Sequence, residues 1–140
     1  MVQVSVRNAD VIIRLTKERI AKIAQRFEQV LADEAARIVL RTESGQDVNG
    51  SPFVDYTPAY ARRKAKKGRQ VAHPDLTDTG AMLGSIQTRV EPTTNGYRGT
   101  IFFGSAREAA KASGNMKTRR FFGLSEEQVT RIKDRLNRGL

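Results

Sequence analysis

The feature of this sequence that most constrains its fold is an amphipathic pattern that runs from about Lys17 to Arg41. Apolar residues recur there in steps of three and four, which places them on one face of an α-helix. About 25 residues at 1.5 Å per residue make a rod of roughly 37 Å. A helix this long in a chain of 140 residues is predicted to be the spine of the domain. Its apolar face needs a sheet or a second helix to cover it. That face consists of Ile20, Ile23, Ala24, Phe27, Val30, Leu31, Ala35 and Ile38.

Strand patterns lie on both sides of this helix. Residues 2–7 alternate apolar and polar and predict a strand, whereas 11–15 is either a second short strand or the lead-in to the helix. The strongest hairpin signal joins 85–91 to 97–103 through the turn residues 94–96. The sequence therefore predicts an α+β fold. In this fold a long N-terminal helix packs on a small antiparallel sheet, with short peripheral helices and a C-terminal helix.

The middle of the chain predicts one short basic helix between two loops. Thr57 followed by Pro58 is a helix-start signature, and Gly68 is placed to end a helix of about Ala59 to Lys67. Gly, Asn, Asp, Ser and Pro dominate the segment before this helix. We expect a single domain over 1–140 with mobile loops at about 44–56 and 61–75.

Two further helices are predicted near the C-terminus. The first covers 106–112 and is followed by a loop at 113–118. The second opens with a capping box at 125–128 and continues to about Asn137. In a capping box the Ser and Gln side chains each accept a hydrogen bond from the backbone N–H of the other residue. The basic residues of this last helix are expected to face solvent. They are Arg131, Lys133, Arg135 and Arg138.

The composition excludes several classes of protein. The chain has no Cys, which excludes disulfides, Cys-based metal sites and a thiol nucleophile. Its longest apolar runs are far shorter than a membrane span, and the N-terminus shows no signal peptide pattern. Hydrophobic residues make up 39% of the chain, which is lean but sufficient for a mostly aliphatic core.

The net charge of +10 is distributed unevenly along the chain. Residues 1–56 carry 8 Lys/Arg and 8 Asp/Glu, whereas residues 57–140 carry 17 Lys/Arg and 7 Asp/Glu. Such asymmetry indicates either a polyanionic neighbour, such as nucleic acid or an acidic protein surface, or simply a well-solvated face. The sequence alone leaves both interpretations open.

No residue pattern predicts catalysis. The lone His73 has no second His and no Cys with which to bind a metal, and the serines have no nucleophile-elbow context. The glycines match neither of the phosphate-binding motifs GxxxxGK[ST] and GxGxxG. We therefore expect a protein that is not an enzyme and that uses no metal or cofactor.

Three stretches, in order, resemble the virion morphogenesis or tail-completion proteins of tailed bacteriophages. Residues 45–68 are similar to that family's G-x-D-x-x-G-x-P-[FW] loop and the Lys/Arg-rich helix after it. Residues 76–86 resemble L-x-x-T-G-x-L-x-x-S-I, with Met82 in place of the usual Leu, and 119–132 resemble R-x-F-[FL]-G-L-S and the last helix. One segment departs from the pattern: 108–114 lacks the aromatic-Ala pair and the His before Gly that relatives often carry.

The resemblance implies a structural role in the virion. Such a subunit forms a homo-oligomeric ring, often six-fold, in the neck between the head connector and the tail tube, and is made in the host cytoplasm. Its expected partners are copies of itself, the neighbouring connector and tail-tube proteins, and packaged DNA through non-specific contact. The ring's symmetry and its position, as tail terminator, tail-completion or head-closure protein, stay open.

Two sets of residues follow as candidates. The basic set is expected to contact partners or DNA in the ring lumen: Arg62, Arg63, Lys64, Lys66, Lys67 and Arg69. The second set is expected to act as packing anchors: Phe53, Phe121 and Phe122. The alternative hypothesis is a small basic nucleic-acid-binding protein, although only Tyr56 and Tyr60 lie near the basic run to stack on bases.

Overall fold

The computed structural model describes residues 3–7, 9–14, 17–70, 76 and 80–138. His73 and most of the segment after Gln70 lie outside this part of the chain, so the expectations for them stay predictions. The described elements, in chain order, are β1 (Gln3–Arg7), β2 (Asp10–Arg14), α1 (Lys17–Glu43), α2 (Pro58–Lys66), α3 (Ala81–Gly84), β3 (Ile86–Thr93), β4 (Gly96–Phe103), α4 (Ala106–Met116) and α5 (Glu126–Asn137).

The four strands form one antiparallel sheet in the order β1-β2-β4-β3. The hairpin predicted near residue 95 is the β3–β4 pair, in which Thr93 lies opposite Gly96 and only two residues form the turn. The segment 11–15, for which the sequence left two alternatives, contributes strand β2. The α+β fold with a long helix on a small antiparallel sheet is therefore confirmed.

Helix α1 covers one face of the sheet and contacts β3, β4 and α5. The predicted apolar stripe is the centre of the main core. Its members Ile23, Phe27 and Ile38 are fully buried, together with Val11 and Ile13 of β2. The stripe is buried because the sheet presents an apolar face of its own, so both surfaces leave water together.

Gly99 of β4 lies where helix α1 packs tightly on the sheet. A Cβ at this position would lie 2.6 Å from Cζ of Phe27 and 2.8 Å from Cδ2 of Leu31. Both of these side chains are fully buried, so they have little room to move away. The absence of a side chain is therefore what lets α1 lie this close to the sheet.

Replacing Gly99 by alanine is expected to destabilise the protein by about 1–3 kcal/mol, because it overpacks the core. Urea unfolding followed by far-UV circular dichroism measures the change. Gly114, around which a Cβ meets nothing within 4 Å, is the matched control and lies on α4. Equal losses at the two positions would contradict close packing at Gly99.

Helix α5 begins as predicted and packs against α1. Ser125 Oγ accepts a hydrogen bond from Gln128 N at 3.2 Å, and Gln128 Oε1 accepts one from Ser125 N at 3.0 Å, which confirms the capping box. Ile132 and Leu136 are fully buried against the main core.

The prediction that all basic residues of α5 face solvent was wrong for Arg131 and Arg135. Arg131 Nε lies 2.6 Å from Oε1 of Glu34, a carboxylate of α1 that is only 1% exposed. Arg135 binds Asp33 at 2.7 Å. A buried carboxylate requires a charged partner, and α5 supplies it from across the helix interface.

A second cluster of buried residues lies beyond the end of the β3–β4 hairpin. It contains Phe53, Leu83, Ala112 and Phe121, with Met82 beside them. Each of these residues comes from a different loop or short helix, apart from the adjacent pair in α3. This cluster joins the peripheral segments into one body, and the partly buried side chains of Ile86 and Phe122 contact both clusters.

Helix α4 is longer than predicted. It runs to Met116 instead of ending at Ala112, although Gly114 lies inside it. Asn115 donates from Nδ2 to the carbonyl oxygen of Lys111 at 3.0 Å and approaches Sδ of Met82 at 3.7 Å. Packing of the last turn against the second cluster thus outweighs the local preference of glycine for a loop.

A candidate partner-binding site on α2

Helix α2 forms because both of its ends are capped. Thr57 Oγ1 accepts a hydrogen bond from Tyr60 N at 3.3 Å, and Pro58 occupies the first helical position. Gly68 has a φ of +75°, the left-handed conformation that ends many helices. The helix holds no acidic residue in its first turn and places basic residues in its last turn, where they complement the helix dipole.

The predicted basic set divides into an exposed group and one buried member. Arg62, Arg63, Lys66 and Lys67 are exposed, and we call these four side chains the basic face. Arg69 is half-buried beyond the end of the helix.

Lys64 differs from the rest of the set because it is only 2% exposed. Its Nζ donates to the hydroxyl oxygen of Tyr56 at 2.9 Å and lies 4.8 Å from the centre of that ring. Lys64 is therefore not part of the exposed basic surface of the single chain, and its expected contact with a partner or DNA stays a prediction. In a nine-residue helix one side must face the body of the protein, and position 64 falls on that side.

Two tyrosines tie α2 to the rest of the molecule. The rings of Tyr56 and Tyr60 lie 4.9 Å apart and are tilted by 53°. The guanidinium of Arg63 lies 5.6 Å from the centre of the Tyr60 ring, and that of Arg119 lies 5.4 Å from the centre of the Tyr56 ring. These rings are thus already engaged by cations and by each other, which disfavours their use as stacking platforms for bases.

The loop before α2 has a defined hydrogen-bonded conformation. Asp47 Oδ1 accepts hydrogen bonds from the backbone N–H groups of Asn49 at 2.8 Å and Ser51 at 2.9 Å. Gly50 has a φ of +81°, as the turn requires. Phe53 is buried in the second cluster and its N–H donates to the carbonyl oxygen of Gly45 at 2.9 Å. The mobility expected for 44–56 stays a prediction.

The segment 119–123 holds this loop from the other side. Arg119 donates from Nε to the carbonyl oxygen of Val54 at 3.0 Å and from Nη2 to that of Asp55 at 3.2 Å. The N–H of Val48 donates to the carbonyl oxygen of Arg120 at 2.8 Å. Residues some 65 positions apart in the sequence therefore form one continuous surface beside α2.

Arg41, near the end of α1, fastens the same segment to the main core. Its Nη2 donates to the carbonyl oxygens of Phe121 at 2.9 Å and Gly123 at 2.7 Å, and its Nη1 donates to Gln128 Oε1. Burial lowers the pKa of the Arg41 guanidinium from its usual value, and the charges of Asp47 and Glu34 oppose that shift. The Arg41 guanidinium stays charged near neutral pH despite this shift. Its hydrogen bonds are therefore charge-assisted and join two parts of the fold.

The structure arranges the predicted anchors and cations around one region. Phe121 is fully buried, Phe53 is 6% exposed and Phe122 is half-buried, with ring centres 6.2 Å apart between Phe121 and Phe122. Sequence reasoning missed Arg41, Arg119 and Glu34, which organise this region. Nothing in their local spacing distinguishes them from surface charges.

The described residues contain no cluster of three or more His, Asp or Glu side chains able to hold a metal ion. Within the same residues, no helix combines the length and the apolar character needed to cross a membrane. The arrangement around α2 is suited to binding an anionic surface through the basic face. No family model, curated protein or solved structure matches this chain.

Proposed function

We propose that this chain is a structural subunit of a tailed-bacteriophage virion, which forms a homo-oligomeric ring, often six-fold in such assemblies, at the head–tail junction. In this role it completes or terminates the tail and joins it to the head connector. Its partners are copies of itself and the adjoining connector and tail-tube proteins. The basic face of α2 contacts either an acidic neighbour or packaged DNA.

The observation that carries the proposal is the contact between the three stretches that resemble tail-completion proteins. Phe53 of the first stretch, Leu83 of the second and Phe121 of the third share one buried cluster. Arg119 and Val48 add hydrogen bonds between the first and third stretches. Segments that resemble one family in order and also pack together support one shared structural unit better than three separate chance similarities.

The basic face supports the second part of the proposal. Four exposed cations on a capped helix and its C-cap, which a hydrogen bond from Lys64 links to Tyr56, form one electropositive surface. Such a surface attracts polyanions without reading sequence, because phosphate contacts carry no base information. A ring around packaged DNA tolerates a positive lumen and can use an attraction of this non-specific kind.

Light scattering of the purified protein at low and high salt, with and without duplex DNA, tests the proposal. We expect a closed multimer at high protein concentration, about 94 kDa for six copies of the 15.6 kDa chain. DNA binding by the free subunit is expected to be weak. Stoichiometric binding of a monomer or dimer to DNA would instead favour the small nucleic-acid-binding protein.

A variant that lacks the charges of the basic face further distinguishes the ring proposal from the nucleic-acid-binding alternative. Replacing the basic face, Arg62, Arg63, Lys66 and Lys67, by glutamine is expected to leave the multimer mass unchanged. Any residual DNA binding should lose salt dependence, since each phosphate contact contributes about −0.9 to the slope of log K against log salt. The control replaces Arg89 and Arg98 by glutamine, because both lie on the face of the sheet opposite α1. If the basic-face variant abolishes tight, salt-sensitive binding by a monomer, the ring proposal is wrong.

A further inference from the structure

The sheet ends in two different open edges. Among the described residues no strand pairs with the outer side of β1 or of β3, which are the first and last strands in the order β1-β2-β4-β3. Strand β3 is eight residues long, so its free edge extends over about 27 Å. Open edges of this length present rows of unpaired backbone groups and are templates for pairing with another chain.

The hydrogen-bond pattern identifies which backbone groups of β3 point outward. Gly104 N donates to Ser85 O at 2.7 Å, whereas Ile101 N donates to Ala9 O at 3.1 Å on the β2 side. Because antiparallel partners alternate, every second residue of β3 starting from Ser85 bonds to β4. The residues between them, Ile86, Thr88, Val90 and Pro92, direct their backbone groups outward.

Pro92 fits this assignment. Proline has no N–H and is tolerated in a sheet only where that group would face away from the neighbouring strand. The other outward-facing residues do carry an N–H group, so an incoming strand can bond to Ile86, Thr88 and Val90. The same alternation applied to β1, where Ser5 pairs with Ile12, directs the backbone groups of residues 4 and 6 outward.

A trough beside β3 gives this edge a specific shape. A groove of about 490 Å³ lies between α1 and β3, and its helix wall consists of small residues. Ala32 and Ala36 are exposed there, and Val39 is half-buried. The trough lies on the side of β3 that bears Ile86 and Thr88, so alternate side chains of an added strand would enter it. The wall consists of Ala32, Ala35, Ala36 and Val39.

We infer that β3 of one subunit pairs with β1 of a second copy of this chain, which extends the antiparallel sheet from subunit to subunit. This inference rests on the proposed ring and identifies its interface. Two different edges of one sheet form a head-to-tail contact, which closes into a ring when the rotation between subunits allows it.

The strand directions support this occupant. Each strand of the sheet is antiparallel to its neighbour, so β1 and β3 run in opposite directions. A second copy that continues the sheet therefore presents β1 antiparallel to β3. Two registers pair residues 4 and 6 with outward-facing residues of β3 that carry an N–H group, and they place Ser5 of the second copy opposite either Gln87 or Arg89.

Disulfide trapping tests this pairing, because the chain has no Cys of its own. Ser5→Cys is combined with Arg89→Cys or with Gln87→Cys, and the protein is oxidised at a concentration at which it assembles. We expect one of the two double variants to give covalent multimers up to the size of the ring. The control, Ser5→Cys with Ala110→Cys, uses an exposed position on α4 and is expected to stay monomeric under denaturing electrophoresis.

Each other outcome has a separate meaning. Covalent dimers from Arg89→Cys alone would show that two β3 edges pair symmetrically, which overturns the inference. Assembly detected by light scattering without cross-linking in either double variant would overturn the β3–β1 contact and leave the ring proposal intact. A chain that stays monomeric at its highest attainable concentration and gives no covalent product overturns both.

Two blocking variants supply an independent measurement. Thr88→Pro removes an outward N–H and leaves the bonds to β4 in place, as Pro92 already does. Ala36→Arg fills the trough from an exposed position of α1. Both are expected to weaken self-association about tenfold or more. Ala110→Arg on α4 is the matched control, and an equal loss from it would contradict a specific role for the trough.

Discussion

Replacing Arg41 by methionine is expected to lower the free energy of unfolding by about 3 kcal/mol, because it removes three charge-assisted hydrogen bonds and takes this donor away from two backbone carbonyl oxygens. The methionine side chain fills similar space but cannot donate to the carbonyl oxygens of Phe121 and Gly123 or to Gln128. Urea unfolding followed by far-UV circular dichroism measures the loss, since the chain contains no Trp.

Arg37 supplies the matched control for Arg41. It lies one turn earlier on α1, is 55% exposed, and makes only a 3.5 Å contact with Glu34. Arg37→Met is expected to change stability by less than about 1 kcal/mol, because Arg37 is exposed and Glu34 keeps its closer partner Arg131 at 2.6 Å. Arg41→Lys adds a second comparison, because one ammonium group cannot reproduce the forked geometry. Similar losses at positions 37 and 41 would show that the Arg41 contacts do not hold the segment 121–128 to α1.

Replacing Phe121 by alanine is expected to cost about 3–5 kcal/mol, the range measured for large aromatic residues in protein cores. Phe121 is fully buried at the centre of the second cluster, and its ring meets that of Phe103 edge-on with centres 6.2 Å apart. A loss of this size is a large fraction of the stability of a typical domain. The variant is therefore expected to unfold at a much lower urea concentration.

Phe102 provides the comparison for Phe121. It is half-buried on the sheet face opposite α1, where the guanidinium of Arg89 lies 5.0 Å from its ring centre. Phe102→Ala is expected to cost about 1 kcal/mol, because less apolar surface returns to water. If both variants lose equally little, the second cluster does not contribute to cooperative stability. A separate early transition in Phe121→Ala would show that the two clusters unfold independently.

Local patterns were sufficient for most of the secondary structure. The capping box of α5, the two-residue hairpin turn and the caps of α2 depend on residues within a few positions of one another. Their geometry is therefore encoded in short stretches of sequence. The stripe of α1 was equally readable, because a helix of this length repeats its periodic signal over many turns. The end of α4 was misjudged, since a glycine in the sequence gives no sign of the packing that holds the last turn.

The candidate site was only partly predictable. The basic run on α2 was visible as a run of charges, and the anchors Phe53, Phe121 and Phe122 as aromatic residues in otherwise largely polar segments. The burial of Lys64 against Tyr56 was not visible, because it depends on which side of a short helix meets the body. The outward-facing backbone groups of β3 were not visible either. They depend on the strand order, in which β2 pairs with β4 although the two strands lie far apart in the sequence.

The sequence by itself determined the α+β class, the long helix, the hairpin and the concentration of positive charge after residue 56. These depend on periodicity, local capping and composition. Only the tertiary structure decided that Arg41 and Arg131 are bridges between elements, that three distant stretches share one cluster, and that the four described strands leave β1 and β3 at the edges of the sheet. Such properties depend on contacts between residues about 65 to 100 positions apart. Chain folding creates these contacts, and no local pattern of residue types specifies them.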